Sequence, residues 1–260
     1  MLRVASALMG YAVMASDGAI GTVRDLLFDD RTWKLSWLVV DTGGWLTGRK
    51  VLVHPSAVGS PDDTQRQVPV ALTRALVKAS PDILSDAPVS LQMEEGIRNY
   101  FGWSPYWDGN DFGIGAMGSS LMPAPDSRTP DPGAVVQQES PRTGARLDDG
   151  DPHLRSIAAV KGYHIHASDG SIGHVEDFVI DDAAWDIRYL IIDTANWWPG
   201  EHVLMSPLAV QKVSWGHSQI RLNVSRAKVK AGPAWKPFDA IDPAFEARLR
   251  SHYFWPGLGH

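Results

Sequence analysis

The feature that most constrains this chain is an internal repeat. Residues 10–42 read GYAVMASDGAIGTVRDLLFDDRTWKLSWLVVDT, and residues 162–194 read GYHIHASDGSIGHVEDFVIDDAAWDIRYLIIDT. The same shift of 152 positions aligns residues 2–81 with 154–233 without a gap, and about 40% of the aligned positions are identical. One folding unit is therefore used twice.

Length and composition favour two domains. A chain of 260 residues holds two units of about 100 residues, each large enough to bury its own core. We predict a first domain over residues 1–108, a linker over 109–152 and a second domain over 153–260. The linker is rich in Gly, Pro, Ser and Asp, so we expect it to be disordered and to leave few fixed contacts between the units.

Charge and cysteine content exclude several classes of function. The net charge is −6 without a broad basic stretch, which argues against a nucleic-acid partner. The absence of cysteine excludes disulfides, thiolate metal sites and cysteine nucleophiles. No stretch approaches the roughly 18 apolar residues of a membrane span. We therefore expect a soluble, cytoplasmic protein that associates with membranes at most peripherally.

Short strands between tight turns predict a mainly β fold. In the first unit the expected strands cover residues 8–14, 20–28, 33–40, 50–53 and about 67–72, separated by Gly, Pro and Asp turns. Alternation along the third strand places Trp33, Leu35 and Trp37 on one inward face, and in the second unit Trp185, Ile187 and Tyr189. We predict two tandem small antiparallel β-barrels, because closing each sheet removes its exposed edges.

A short helix is expected after each barrel. Residues 88–101 carry apolar and charged side chains at helical spacing, and the counterpart covers residues 242–254. In the second helix, Asp242 and Pro243 are suited to the N-cap and the first helical position.

The repeated pattern G-Y-x-h-x-x-x-D-G-x-I-G-x-V-x-D-h-h-h-D, followed by W and a hydrophobic strand ending in V/I-D-T, resembles the PRC-barrel family. That family is named for the barrel of the photosynthetic reaction-centre H subunit, and the ribosome-maturation factor RimM has a related barrel. The likeness covers residues 2–80 and 154–232, and EEGIRNYFGWSPYW resembles the tail of stand-alone bacterial members. The resemblance implies a binding or adaptor module without shared catalytic residues. An accessory role in photosynthetic assembly or electron transfer, like that of the H subunit, is an alternative.

Histidines of the second unit form one candidate metal site. His164 and His166 are two apart on one strand, and His174 is expected nearly opposite them on the hairpin partner. Converging imidazoles suit Zn²⁺ or Ni²⁺, with His202 as the nearest fourth ligand. Ala12, Met14 and Thr22 replace the first three in the first unit, so a solvated face is the alternative explanation.

The repeated aspartates are interpreted mainly as turn residues. They are Asp17, Asp25, Asp29, Asp30 and Asp41, with Asp169, Asp177, Asp181, Asp182 and Asp193 in the second unit. Oxygen ligands suit Ca²⁺ or Mg²⁺, but the spacing lacks the alternation of an EF-hand loop. Asp25 and Asp177 alternate in phase with apolar residues of their own strands, so each side chain is expected on the inward face. The carboxylate is then either buried and hydrogen-bonded, or turned outward by a β-bulge.

Aromatic residues near the end of each unit form the candidate interaction site: Tyr100, Phe101, Trp103 and Trp107, then Tyr253, Phe254 and Trp255. Such residues either cover their own barrel or bind a partner. No G-x-S-x-G elbow or phosphate-binding glycine loop is present in a suitable context, so we expect neither an enzyme nor a cofactor. The sequence predicts a bivalent protein-interaction or scaffold module with a protein partner, at a membrane-protein complex or through self-association. The alternative is a metal-binding or small-ligand-binding protein that uses the histidines of the second unit.

Overall fold

The computed structural model describes residues 1–46, 48–80, 97–98, 100–102, 153–194, 202–236 and 239–255. The strands are β1 (Leu2–Val4), β2 (Ala12–Ala15), β3 (Gly18–Asp29), β4 (Leu35–Asp41), β5 (Lys50–Val53), β6 (Gln67–Pro69), β7 (Leu154–Ser156), β8 (His164–Ala167), β9 (Gly170–Asp181), β10 (Asp186–Asp193), β11 (His202–Met205), β12 (Val210–Ser214), β13 (Gln219–Leu222) and β14 (Ala234–Trp235). The α-helices are α1 (Arg74–Ala79), α2 (Ile157–Val160), α3 (Arg226–Lys230) and α4 (Pro243–Tyr253). Short 3₁₀ segments cover Ala5–Leu8, Gly43–Leu46, Pro55–Ala57, Pro207–Ala209 and Trp215–His217. The mainly β prediction is confirmed.

Within the described residues the strands form two sheets. The first sheet has the order β5-β4-β3-β2-β6, and β7 is added against β3. The second has the order β12-β13-β8-β9-β10-β11-β14, and β1 is added against β9. The prediction of purely antiparallel pairing is wrong, because β2 pairs in parallel with β6 and β8 pairs in parallel with β13. The closure of each sheet into a barrel stays a prediction.

We call the part of the chain that contains the first repeat unit (residues 1–108) the first half, and the part that contains the second (residues 153–260) the second half. The first strand of each half lies in the sheet of the other half. β1 pairs antiparallel with β9, which places Val4 opposite Val179. β7 pairs antiparallel with β3, which places Ser156 opposite Leu27. These two pairings correspond through the repeat, so the exchange is reciprocal. The division into domains 1–108 and 153–260 stays a prediction, although residues 2–4 of the first lie in the second sheet.

Ion pairs at the two exchanged strands also correspond. The Arg3 Nε donates a hydrogen bond to Asp182 Oδ2 at 2.7 Å, and the Arg155 Nε donates one to Asp30 Oδ2 at 3.0 Å. Both carboxylates are nearly buried, at 8% side-chain exposure. Asp30 and Asp182 were predicted to be turn residues, and the structure gives them this additional role between the halves.

Between the exchanged strands the two halves meet directly. The Leu35 N–H donates to the Trp185 carbonyl at 2.8 Å, and the Ile187 N–H donates to the Trp33 carbonyl at the same distance. The largest hydrophobic cluster contains residues of both halves. The expectation of few fixed contacts between the units is therefore wrong, because backbone pairing and a shared core join them.

Bulges change which side chains face the core. Register shifts interrupt β3–β4 pairing near Leu27, and β9–β10 pairing between Ile187 and Tyr189. Leu35 consequently packs in the main core, whereas Trp37 joins a second cluster with Val39, Leu52 and Ile97. The prediction that Trp33, Leu35 and Trp37 share one face is wrong, since an inserted residue reverses the alternation.

The helix predicted over residues 242–254 is confirmed as α4. Most of the helix predicted over residues 88–101 lies outside the described residues, although residues 97–98 and 100–101 are helical. No helix in the described part of the chain combines the length and apolar character needed to cross a bilayer. The predicted linker, residues 109–152, also falls outside the described residues.

Candidate interaction surface

The helix α4 is fixed at its N-terminus and along its buried face. The Phe245 N–H donates to Asp242 Oδ1 at 2.6 Å, which is the N-cap bond predicted from the sequence. Phe245, Leu249 and Tyr253 are all less than 10% exposed and recur at helical spacing. The Tyr189 hydroxyl from β10 donates to Glu246 Oε1 at 2.8 Å. Burial first, and then this carboxylate, raise the pKa of Tyr189.

The end of α4 is an unusual position for a large side chain. Phe254 has φ +58°, in the left-handed region, and its backbone N–H bonds the Arg250 carbonyl. Glycine is favoured there because it has no Cβ to clash. The equivalent residue of the first half is Gly102, which has φ +71°. The same helix ending is therefore built with glycine in one half and phenylalanine in the other.

Phe254 is also the most exposed large hydrophobic side chain in the described residues, at 83%. The Lys228 Nζ lies 4.6 Å from the centre of its ring. The His252 ring nitrogen Nε2 lies 2.8 Å from the Lys228 carbonyl oxygen, which ties the end of α4 to α3. We call Phe254, Lys228 and the adjacent Trp255 the Phe254 surface.

The neighbours of Phe254 are held by packing. Tyr253 is 8% exposed and stacks on Trp255 with 4.6 Å between ring centres. Burial raises the pKa of Tyr253 to about 12. The Tyr253 hydroxyl also lies close to Gly232, where an added Cβ would be 2.6 Å from the hydroxyl oxygen. The ring of Phe254 is therefore exposed, while the residues next to it in the chain are held by packing.

The aromatic set of the first half is only partly described. Tyr100 is 40% exposed and its hydroxyl donates to the Leu76 carbonyl at 3.3 Å. Phe101 is partly buried and meets Tyr100 edge-on at 4.9 Å. Trp103 and Trp107 lie outside the described residues. Of the predicted interaction residues that are described, Phe254 and Tyr100 remain exposed, whereas Tyr253 is buried.

The structure places only two of the four candidate metal-binding histidines directly opposite each other. His164 lies opposite His174, as predicted, but His166 lies opposite Ser171. His202 Nε2 is 2.8 Å from Glu176 Oε2, and His174 Nε2 is 3.6 Å from Asp193 Oδ2. No group of three or more His, Asp or Glu side chains in the described ranges is arranged to hold a metal ion.

Asp25 and Asp177, which were expected on the inward face of their strands, form different hydrogen bonds. Asp25 Oδ2 accepts a hydrogen bond from the Ser156 hydroxyl, and its Oδ1 accepts from the Ala158 N–H at 3.3 Å. Asp177 is 5% exposed and its Oδ2 accepts from the Lys161 ammonium at 2.9 Å. Asp25 therefore binds across the boundary between the halves, whereas Asp177 binds within its own half.

Turn chemistry is confirmed for Asp29. Its Oδ1 accepts from the N–H groups of Arg31 and Thr32, each at 2.9 Å. Burial opposes the charge, but these bonds and the Arg31 guanidinium outweigh burial and lower the pKa of Asp29.

Sequence reasoning missed the pairing role of Arg3 and Arg155. A signal was present, since Leu-Arg occurs at residues 2–3 and again at 154–155, 152 positions apart. Asp-Asp recurs at the same spacing at residues 29–30 and 181–182. A repeated arginine and a repeated acidic pair suggest an ion pair, but not which half supplies each member.

The geometry defines a pair of β units joined by exchanged strands, with an aromatic surface at the end of the second unit. Residues 4–71 match the family model of the PRC-barrel domain, which confirms the predicted family for the segment containing β2 to β6. An uncharacterised protein of Deinococcus radiodurans is 36% identical over 86 residues. That alignment covers 33% of this chain and 31% of the relative, so the chain spans about a third of the length of the protein it matches.

Proposed function

We propose that this chain is a non-enzymatic protein-interaction or scaffold module built from two PRC-barrel units, and that the Phe254 surface is one of its contact sites. The observation that carries the proposal is the exposed ring of Phe254 at a left-handed position. The fold does not require a side chain there, because Gly102 ends the equivalent segment of the first half.

The energetics favour a role in binding. A non-glycine residue in the left-handed region costs about 1 kcal/mol, and an exposed ring recovers little of this through packing. Aromatic side chains are enriched in the buried centres of protein interfaces, where one ring can contribute about 2 kcal/mol or more. An apolar pocket on a partner protein is the complement that this ring fits.

The arrangement of the two halves supports a scaffold. Strand exchange and the shared core hold them in one geometry, so surfaces on the two halves are presented at a fixed separation. A partner with two binding sites would lose less freedom on such a scaffold than on freely tethered units. By resemblance to the family, a membrane-protein complex is one partner class to examine.

The test compares the full chain with two single variants. Wild type, Phe254→Gly and Leu208→Ser are immobilised, exposed to extract from the source cells, and the retained proteins are quantified by mass spectrometry. Leu208 is an exposed leucine of similar apolar character, at 48% exposure, and serves as the matched control. A protein retained by wild type is then purified and titrated against each variant.

We expect Phe254→Gly to weaken that titrated affinity by about 30-fold, and Leu208→Ser to change it less than about threefold. Both variants must give the wild-type circular dichroism spectrum. Equal retention and affinity for wild type and Phe254→Gly would remove this surface from the proposal.

A further inference from the structure

The exchanged strands and the edges that receive them form a second interaction surface. We call it the exchange surface, and it consists of β1 and β7 as donor strands and the receiving edges of β9 and β3. Donor β1 reads Leu-Arg-Val and donor β7 reads Leu-Arg-Ser. Each half therefore carries one donor strand and one receiving edge.

The contacts across this surface are reciprocal, as in a dimer with two-fold symmetry. Arg3 pairs with Asp182, and Arg155 pairs with Asp30. The fully buried Phe28 and Phe178 rings also meet across the boundary, with 6.0 Å between their centres, whereas their repeat equivalents are the aliphatic Ile180 and Leu26. Each of these contacts joins a first half to a second half, so all of them can form in the same way when the two halves belong to different copies.

We infer that two copies of this chain pair through the exchange surface, with the first half of each copy bound to the second half of the other. The partner is thus a second copy, and the exchanged assembly closes after two chains. All strand pairings of the single chain are retained in it. The exchange surface is separate from the Phe254 surface, so pairing of two copies does not depend on the proposed function of Phe254.

One contact makes the pairing of unlike halves more favourable than the pairing of like halves. The Ser156 hydroxyl donates to Asp25 across the boundary. Val4 occupies the position equivalent to Ser156 and has no hydroxyl, so two first halves would leave Asp25 without this bond. Two second halves would place Ser156 against Asp177, which already binds Lys161.

Exchange between copies competes with exchange inside one chain. The sequence predicts a flexible linker over residues 109–152, and a linker of that kind gives the two halves of one chain an effective concentration of about 1 mM for each other. Pairing between copies should therefore increase with protein concentration during folding. The single chain predominates in dilute solution, and exchange between copies is detected by trapping it.

Cysteine trapping in the full chain tests the inference, because the chain has no cysteine of its own. A Val4→Cys chain and a Val179→Cys chain are unfolded together, refolded by dilution at about 20 and about 200 µM, and then oxidised. Residues 4 and 179 lie opposite each other on β1 and β9, a position from which disulfides form. Peptide mapping identifies the linked cysteines.

We expect a disulfide between residue 4 of one chain and residue 179 of the other, and the fraction of chains linked in this way should be about tenfold larger at the higher concentration. Gln211→Cys, on exposed β12, replaces Val179→Cys as the control for random collisions. Leu27→Cys replaces it to detect pairing of like halves. The inference fails if the Val4–Val179 product does not exceed the Gln211 control, or if the Leu27 product equals it.

A single chain carrying both Val4→Cys and Val179→Cys shows that the geometry permits the bond, since it should link internally. If this chain does not link, the opposed pair Leu2→Cys and Asp181→Cys replaces it. Asp29→Cys then replaces Leu27→Cys as the control for like halves, because Leu154, the equivalent of Leu2, lies opposite Asp29. The same two criteria then decide the outcome.

Discussion

At the scale of single residues, His54 shows how surroundings set a protonation state. Its Nδ1 accepts a hydrogen bond from the Ser56 N–H at 3.2 Å, which requires an unprotonated nitrogen. Its ring meets Trp37 edge-on at 5.6 Å. Burial first, and then the charge of Arg98, lower the pKa of His54 from 6.5 to about 4.

This lowered pKa predicts a loss of stability in acid. The folded state binds the proton less readily than the unfolded state, so the stabilisation is complete above pH 6.5 and is lost as pH falls towards 4. Compared with His54→Asn, which keeps a capping acceptor but does not titrate, wild type should lose about 3 kcal/mol more between pH 7 and 4. Urea unfolding at several pH values measures this difference, and parallel pH profiles would contradict it.

Phe254 permits a prediction that separates binding from stability. Phe254→Gly removes the left-handed strain, which gains about 1 kcal/mol, and removes the contact with Lys228, which costs about as much at an exposed site. The free energy of unfolding should therefore change by less than about 1 kcal/mol. A loss above about 2 kcal/mol in urea unfolding would assign the ring a structural role instead.

At the scale of elements, glycines allow strands to cross closely. A Cβ on Gly173 would lie 1.9 Å from the Asp193 carbonyl oxygen, and one on Gly21 would lie 2.1 Å from that of Asp41. Each position also has φ near +150°. The paired strands β9–β10 and β3–β4 can approach this closely only because neither position has a side chain.

Two alanine substitutions separate the cost of the clash from that of backbone strain. Gly162 has φ +86°, and a Cβ added there would meet no atom within 4 Å, so Gly162→Ala carries strain alone. We expect it to cost about 1 kcal/mol, and Gly173→Ala to cost at least about 3 kcal/mol because backbone must move. Thermal and urea unfolding of both variants measure the difference, and equal costs would show that the strands can separate freely.

The sequence predicted strands, turns and α4 because these depend on neighbouring residues. Asp29 at its turn and Asp242 at its cap bind backbone groups a few positions away. Three features depended on distant groups and were not predictable. The bulge before Trp37 is set by the register with β3, and the exchange of β1 could not be inferred because its Leu-Arg sequence recurs in β7. The exposure of Phe254 likewise depends on how α4 meets α3.

At the scale of the whole molecule, the exchanged strands couple the folding of the two halves. Losing the second sheet would release β1 and break the Arg3–Asp182 pair. It would also expose the Phe28 ring that packs against Phe178. Neither half can unfold alone without exposing apolar surface of the other, so we expect one cooperative transition for both.

Hydrogen exchange in Gly173→Ala tests this coupling. The substitution lies in the second half, yet protected amides of β4 in the first half, such as Val40, should lose as much opening free energy as those of β10, such as Ile192. Gly162→Ala, which is also in the second half, should produce a smaller but again equal loss in both strands. If the two halves folded independently, exchange in β4 would match wild type in both variants while exchange in β10 accelerated. The equality of the two losses therefore distinguishes one interlocked folding unit from two domains on a tether.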